Sequence, residues 1–126
     1  MRRSDQRRDA VFASYQRDVT GRPLAELLVD AKPLTRELAE GVEEAREELD
    51  ETISEHLRGG WTVDRLAPLD LNVLRVAVFE IEEGETPYEV AIDEAVEIAK
   101  EYCGADAPGF INGVLGAIVR EREPAG

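Results

Sequence analysis

The chain has too few cysteine and histidine residues for a disulfide framework or a zinc site. Among its 126 residues there are one cysteine, Cys103, and one histidine, His56. A single cysteine excludes an internal disulfide, and the two residues together cannot supply the four ligands of a structural zinc ion. The composition therefore gives no sign of an oxidising compartment and predicts neither a metal nor a cofactor.

Long hydrophobic runs are also missing. The first 18 residues, MRRSDQRRDAVFASYQRD, are interrupted by Asp5 and Asp9. They contain no apolar stretch of the length that a signal peptide or a transmembrane helix needs. We therefore expect a cytoplasmic protein that makes no contact with a membrane.

Catalytic groups are scarce as well. Catalysis needs a nucleophile or an acid-base group with an orienting partner. His56 is expected near a helix end, where the helix dipole favours its charged form and a capping role. Cys103 is expected to be a small buried hydrophobic residue. The sequence contains no Glu-x-x-His pair, the motif that would indicate a di-iron bundle. These observations predict that the protein is not an enzyme.

Positive charge is in short supply over most of the chain. The net charge of −13 disfavours nonspecific nucleic-acid binding, because phosphate contacts supply most of that affinity. The charges are unevenly distributed: residues 1–22 hold six arginines and three aspartates, whereas the remainder holds nine bases and 25 acids. This asymmetry suggests a basic arm on an acidic body.

The hydrophobic and charged fractions, 43% and 34%, are typical of one globular domain, which we expect to span residues 1–126. Apolar residues recur every three or four positions, which predicts an all-α bundle of about seven helices. The predicted helices cover about residues 4–20, 24–29, 35–57 and 71–81, then one opened by a capping box at Thr86, Pro87 and Glu89, and a last one capped by Asp106.

Residues 71–81 are apolar almost all round, which predicts the central helix of the bundle. Trp61 is expected to pack over the junction that precedes this central helix. Gly109, Gly113 and Gly116 line one side of the last helix and indicate close helix packing and a low-profile surface, since no strand precedes them to form a phosphate loop. The shared core is predicted to contain Leu74, Ala77, Val78, Ile81, Ala95, Ile98, Val114, Leu115 and Ile118.

Five segments resemble the NusB family of bacterial transcription antitermination factors. LRVAVFEI, PYEVAIDEAVEIAKEY and FINGVL stand in that family's order and at nearly its spacing, and DAVFASYQRD and ELAEGVEEAREELDETISEHL resemble its upstream segments. The resemblance covers nearly the whole chain. It implies two small antiparallel helical subbundles packed together. It also implies an adaptor that binds boxA-like single-stranded RNA of ribosomal RNA leaders together with NusE, a ribosomal small-subunit protein, in the transcription elongation complex.

The arginines near the N-terminus have two interpretations from the residues alone. They are ordinary surface arginines partnered by Asp5 and Asp9, or they form a clamp in which Arg3, Arg7 and Arg8 engage the phosphates of single-stranded RNA. The resemblance implies the second interpretation, because Arg3 and Arg7 align with the arginine-rich first helix of the family.

The resemblance implies roles for four further residues. Phe110 and Asn112 align with a Phe and an Asn close to bound RNA, where a ring can stack on a base and an amide can read a base edge. Tyr15 and Glu80 match residues that face NusE. The residues themselves leave simpler alternatives: core packing for Phe110, a backbone hydrogen bond for Asn112, a half-buried ring for Tyr15 and a solvated helix edge for Glu80.

Departures from the family remove positive charge from the expected RNA side. Leu71, Glu89 and Gly109 stand where the family has basic residues, so RNA binding is expected to be weaker or more dependent on NusE. Three functions remain: an adaptor in antitermination of ribosomal RNA operons, a protein-interaction module that has lost RNA binding, and a regulatory domain of an RNA methyltransferase. The third is disfavoured because no catalytic domain follows Gly126.

Overall fold

The structure, a computed structural model, describes residues 1–122, and within that range it contains helices and no strand. This confirms the predicted all-α class with seven α-helices. A single 3-10 turn lies at Val63–Arg65. The α-helices are α1 (Arg3–Thr20), α2 (Leu24–Leu27), α3 (Pro33–Glu44), α4 (Arg46–Glu55), α5 (Pro68–Glu83), α6 (Tyr88–Tyr102) and α7 (Ala107–Arg122).

Glycine and proline set several helix ends, as their backbone preferences require. Gly21 follows α1 and Gly84 follows α5, both in the left-handed conformation with φ of 73° and 78°. Pro33 and Pro68 occupy the first turns of α3 and α5, where the missing N–H group costs nothing. Among residues 1–122, none of the helices has both the length and the hydropathy of a transmembrane span.

The prediction of a single long helix over residues 35–57 is wrong in one respect, because the structure divides this segment into α3 and α4. Ala45 separates them with φ of −99° and ψ of 14°. Ala45 itself remains hydrogen-bonded to both helices, because it donates to the Gly41 carbonyl and accepts from the Leu49 N–H. Both helices pack against α5, so the distortion is a bend that keeps two apolar faces on one central helix.

The predicted capping box before α6 is also wrong. This helix begins at Tyr88, and no side chain caps its N-terminus. Thr86 instead donates its hydroxyl to Glu80 Oε2 at 2.9 Å. Glu80 is a buried carboxylate that needs donors, and satisfying such a group outweighs a solvent-exposed helix cap.

The core lies around α5, which packs against α1, α3, α4, α6 and α7. All nine residues predicted to share the core are buried, which confirms 71–81 as the central segment. Trp61 was expected to be packed, but its side chain is 53% exposed. The connection from α6 to α7 is short, so these helices form an antiparallel pair on α5.

Candidate nucleic-acid interface

Arg7, one of the three arginines of the predicted phosphate clamp, is buried rather than exposed. It lies on the same stripe of α1 as Val11 and Ser14, which face the core. Its Nε atom donates to both carboxylate oxygens of Glu80 at 2.9 and 3.0 Å. A second carboxylate, that of Glu94, lies 3.6 Å from Arg7 Nη1. The expectation that Arg7 presents its charge to RNA is thereby corrected, because its donors point into the protein.

Glu80, expected at a partner-facing surface, is buried with Arg7. Only 5% of the residue is exposed, and its oxygens accept from Arg7 and Thr86. The interpretation of Glu80 as a solvated helix edge is therefore wrong. The partners are required, because a buried carboxylate without them is strongly disfavoured. The ion pair fastens the N-terminal half of α1 to α5.

Arg3 and Arg8 remain nearer the surface. Arg3 is exposed, and within residues 1–122 it forms no ion pair. Arg8 is half-buried, and it lies 3.1 Å from Asp9 and 3.4 Å from Asp5. The hydrogen bond to Asp9 raises the pKa of the Arg8 guanidinium. Local carboxylates thus occupy Arg8, which agrees with the simpler of the two interpretations for that residue.

The groove beside this arginine segment is acidic. It runs between α1 and α6 and contains two arginines, Arg2 and Arg8. Five carboxylates line the same groove, so phosphate groups approaching it meet more negative than positive charge. These carboxylates belong to Asp5, Asp93, Glu94, Glu97 and Glu101.

A second buried arginine, Arg75, joins three helices. It donates to Asp50 on α4 at 2.7 Å and to Asp18 on α1 at 2.6 Å. Burial alone would raise the pKa of Asp18, but the hydrogen bond from Asn72 and the charges of Arg75 and Arg46 outweigh it and lower that pKa. Arg46 lies 2.5 Å from Asp18 without hydrogen-bond geometry, so it acts on the carboxylate through charge. This network positions α1, α4 and α5.

Asn112 and Phe110 lie on opposite flanks of a glycine stripe on α7. Asn112 is exposed and Phe110 is half-buried. Successive residues of an α-helix are rotated by about 100°, so Gly109, Gly113 and Gly116 fall between these two side chains. A methyl group added at Gly109 or Gly113 would meet no atom within 4 Å. The stripe therefore gives the low-profile surface predicted, whereas close helix packing does not explain these two glycines.

Trp61 lies beside Phe110, although no sequence motif assigns it a functional role. Both rings line two adjoining grooves at the end of α7, one of about 430 Å³ and one of about 410 Å³. No residue of α1 lines either groove. The structure therefore separates the arginines of α1 from the Phe110 edge, and it places other groups there that the sequence interpretation missed.

Three arginines accompany these rings. Arg58 and Arg120 line the larger groove, and Arg65 lines the smaller one with Asp70 and Asp106. All three are exposed, and none forms an ion pair with another residue of the described range 1–122. They come from three separate parts of the chain, so no local motif in the sequence signals that they converge.

Tyr15, the other residue expected at a partner surface, is half-buried. The structure does not place it beside an exposed Glu80, since Glu80 is enclosed. Tyr15 keeps part of its ring accessible on α1.

The contacts of His56 and Cys103 are those of residues with a structural role. His56 Nδ1 lies 2.7 Å from the Thr52 carbonyl oxygen, and Nε2 lies 2.7 Å from Glu121. Burial, with a smaller contribution from Asp70, raises the pKa of Cys103 to about 12. The thiolate is the nucleophilic form of cysteine, so Cys103 is a poor nucleophile at neutral pH. Among residues 1–122, no cluster of His, Cys, Asp and Glu is arranged to hold a metal ion.

Comparison with known proteins gives consistent matches over nearly the whole chain. A model of the NusB family matches residues 4–120. The structure of T. maritima NusB is 32% identical, with a TM-score of 0.88 over 98% of this chain and 94% of that chain. A protein chain in the crystal structure of a plectonemic RNA supercoil is 28% identical, with a TM-score of 0.88 over 100% of both chains. A chain in the crystal structure of antitermination factors NusB and NusE in complex with dsRNA is 27% identical, with a TM-score of 0.81 over 96% and 99%.

Proposed function

Because the chain belongs to the NusB family, we propose that it is an RNA-binding adaptor in transcription antitermination of ribosomal RNA operons. In this role it binds boxA-like single-stranded RNA together with NusE and joins the transcription elongation complex in the cytoplasm. Support comes from two similar structures, of which one contains RNA and the other contains NusE and dsRNA.

The surface of α7 is the observation that carries this proposal. An exposed amide, Asn112, and a half-buried ring, Phe110, flank a glycine stripe with free space above it. Sequence-specific RNA recognition uses unstacked bases, which stack on aromatic rings and form hydrogen bonds along their edges. A nucleotide strand lying over the stripe can reach both side chains.

On α1, Arg3 is the residue proposed to contact phosphate directly, and Arg8 joins it if RNA displaces Asp5 or Asp9. Arg3 is exposed, while Arg8 is held by carboxylates. Arg7 then has a supporting role, because its pair with Glu80 fixes the direction of the helix that carries Arg3. Replacing Arg3 with alanine is expected to reduce the salt dependence of RNA binding by about one phosphate contact.

NusE is proposed to bind near Tyr15 on α1. The partly accessible ring offers apolar contact area and a hydroxyl group, a combination that is common in protein interfaces. Glu80 supports this surface only indirectly, through its pair with Arg7. Tyr15→Ala is expected to weaken capture of NusE in a calorimetric titration while leaving the thermal unfolding transition cooperative.

The alternative function, a protein-interaction module without RNA binding, has its own observations in support. The net charge is −13, and the groove beside Arg2 and Arg8 is lined by more carboxylates than arginines. Both reduce the long-range attraction of RNA. Binding of NusE without any measurable RNA affinity for the pair would favour this function.

Asn112→Ala tests the α7 surface, which is the observation on which the proposed function rests. Loss of an amide that reads a base edge is expected to cost about 1 to 3 kcal/mol of discrimination between boxA-like RNA and a variant at that base. Gln16→Ala is the matched control, because Gln16 is an exposed amide on α1. Equal RNA affinities for the Asn112 and Gln16 variants would remove the α7 surface from the RNA site.

A further inference from the structure

We propose that the groove between the end of α4 and α7 is a stacking site for single-stranded RNA, with Trp61 and Phe110 as base platforms and Arg58 and Arg120 as phosphate contacts. This site deepens the proposed function and rests on it. The groove is lined by these four side chains, by His56 and by the smaller α7 residues Gly109, Gly113, Val114 and Ala117, and no carboxylate of residues 1–122 lines it.

The two rings provide the first argument. Trp61 is 53% exposed, the most exposed aromatic side chain among the large exposed hydrophobic residues of the molecule. It contributes to the walls of both grooves that Phe110 borders. Nucleobases stack on aromatic faces with little dependence on base identity. An indole and a phenyl ring at one groove therefore suit successive unpaired bases.

The arginines provide the second argument. In a protein with a net charge of −13, Arg58 and Arg120 are exposed and form no ion pair within residues 1–122. The groove between α1 and α6 has the opposite character, since carboxylates outnumber arginines there. Charge complementarity therefore directs a phosphate backbone to the α7 groove. The neighbouring groove adds Arg65 but also Asp70 and Asp106, so the strand is expected to run along the groove that is lined by no acid of the described part of the chain.

The floor of the groove provides the third argument. Gly109, Gly113 and Ala117 line it, and side-chain atoms added at the two glycines would project into open space. The same glycines belong to the stripe that Asn112 flanks. A strand whose base is read by Asn112 can thus continue across the stripe into the groove without meeting a bulky side chain.

The chain contains a single tryptophan, which gives the test a direct signal. The full chain in complex with NusE is titrated with boxA-like RNA while the fluorescence of Trp61 is recorded. Stacking is expected to quench this fluorescence in proportion to occupancy. In a parallel titration by fluorescence anisotropy of labelled RNA, Trp61→Ala is expected to weaken binding by about 5- to 150-fold.

Three matched pairs of variants separate the groove from general effects. Arg120→Glu is compared with Arg22→Glu, and Trp61→Ala with Val29→Ala, because Arg22 and Val29 are exposed and lie outside the groove. Gly113→Leu fills the groove, whereas Gly104→Leu adds the same side chain in open space elsewhere. Each groove variant is expected to weaken RNA binding by at least about fivefold relative to its control, with unchanged circular dichroism.

Each other outcome is informative. If RNA binds tightly but Trp61→Ala, Arg120→Glu and Gly113→Leu bind like their controls, the groove is not the stacking site and the adaptor function stands. If NusE alone quenches Trp61 and the groove variants lose NusE, the groove is a protein contact and the inference is overturned. If no RNA binds with or without NusE, the adaptor function and the stacking site fail together.

Discussion

At the scale of single residues, arginine has two separate uses in this protein. Arg7 and Arg75 are buried and hold helices together through carboxylates, whereas Arg3, Arg58 and Arg120 are exposed. A guanidinium group suits both uses because its planar array of donors matches carboxylates and phosphates equally well. Burial and pairing therefore decide which arginines are available to RNA.

Removing the charge of Glu80 is expected to destabilise the fold. Glu80→Gln leaves Arg7 buried without its principal partner, and breaking such a pair costs about 3 to 5 kcal/mol. Glu82→Gln is the control, since Glu82 on α5 also forms an ion pair, with Arg122 of α7, but near the surface: the Glu82 side chain is 34% exposed and that of Arg122 is 37% exposed. That change is expected to cost less than about 1 kcal/mol. Chemical denaturation of both variants measures the difference, and equal midpoints would contradict the structural role of Glu80.

Asp18 is expected to make stability depend on acid. Its pKa is lowered in the folded protein, so its contribution is complete above the unfolded pKa of about 4 and is lost as pH falls through the folded value. Asp18→Asn is expected to lower the free energy of unfolding at neutral pH by about 3 kcal/mol. The variant should also lose less stability than the wild type on acidification below about pH 4.

Asp9→Asn is the control for this experiment, because Asp9 pairs with Arg8 near the surface. Its effect at neutral pH is expected to stay within about 1 kcal/mol. Denaturant titrations at several pH values provide the measurement. A parallel acid response of wild type and Asp18→Asn would show that the Arg75 network does not carry this dependence.

The candidate site was only partly predictable from the residues. Asn112 is exposed and Phe110 borders a groove, which fits the resemblance, although their function stays a prediction. Arg7 was misplaced, yet its spacing of four residues from Val11 put it on the buried stripe, and this signal was available in the sequence. The convergence of Trp61 with Arg120 was not available, because it depends on how separate helices pack.

At the scale of helices, periodicity predicted the all-α class and the central position of α5. It did not predict the break at Ala45, because the apolar stripe continues through it and Ala45 keeps backbone hydrogen bonds to both sides. The start of α6 was misjudged for a different reason. A capping box is a local rule, and Thr86 has a buried tertiary acceptor in Glu80. Local signals therefore fail where a distant residue competes for the same group.

Gly41 on α3 is a glycine that packing requires, and its role was not noticed in the sequence. A methyl group added there would overlap the ring of Phe79 on α5, so Gly41→Ala is expected to cost about 1 to 3 kcal/mol. Gly113→Ala meets open space and is expected to gain up to about 1 kcal/mol from helix propensity. Urea unfolding of the two variants should give changes of opposite sign. A stabilised Gly41→Ala would show that α3 and α5 are not in close contact.

At the scale of the whole molecule, charge is distributed so that RNA has few places to bind. The net charge is −13, the arginines at the start of α1 are largely paired, and arginines that form no ion pair within residues 1–122 lie beside Trp61. Exposed charges farther apart than about 8 Å are screened at physiological salt, so the local arrangement matters more than the total. This distribution is consistent with an adaptor that needs NusE to complete its RNA-binding surface.

The most direct test of the adaptor role is an RNA titration with and without NusE at physiological salt. The account predicts that the complex of this chain with NusE binds boxA-like RNA more tightly than a scrambled RNA of the same length, and more tightly than the chain does alone. Equal affinities of the complex for boxA-like and scrambled RNA would contradict the adaptor role and leave the protein-interaction module in its place.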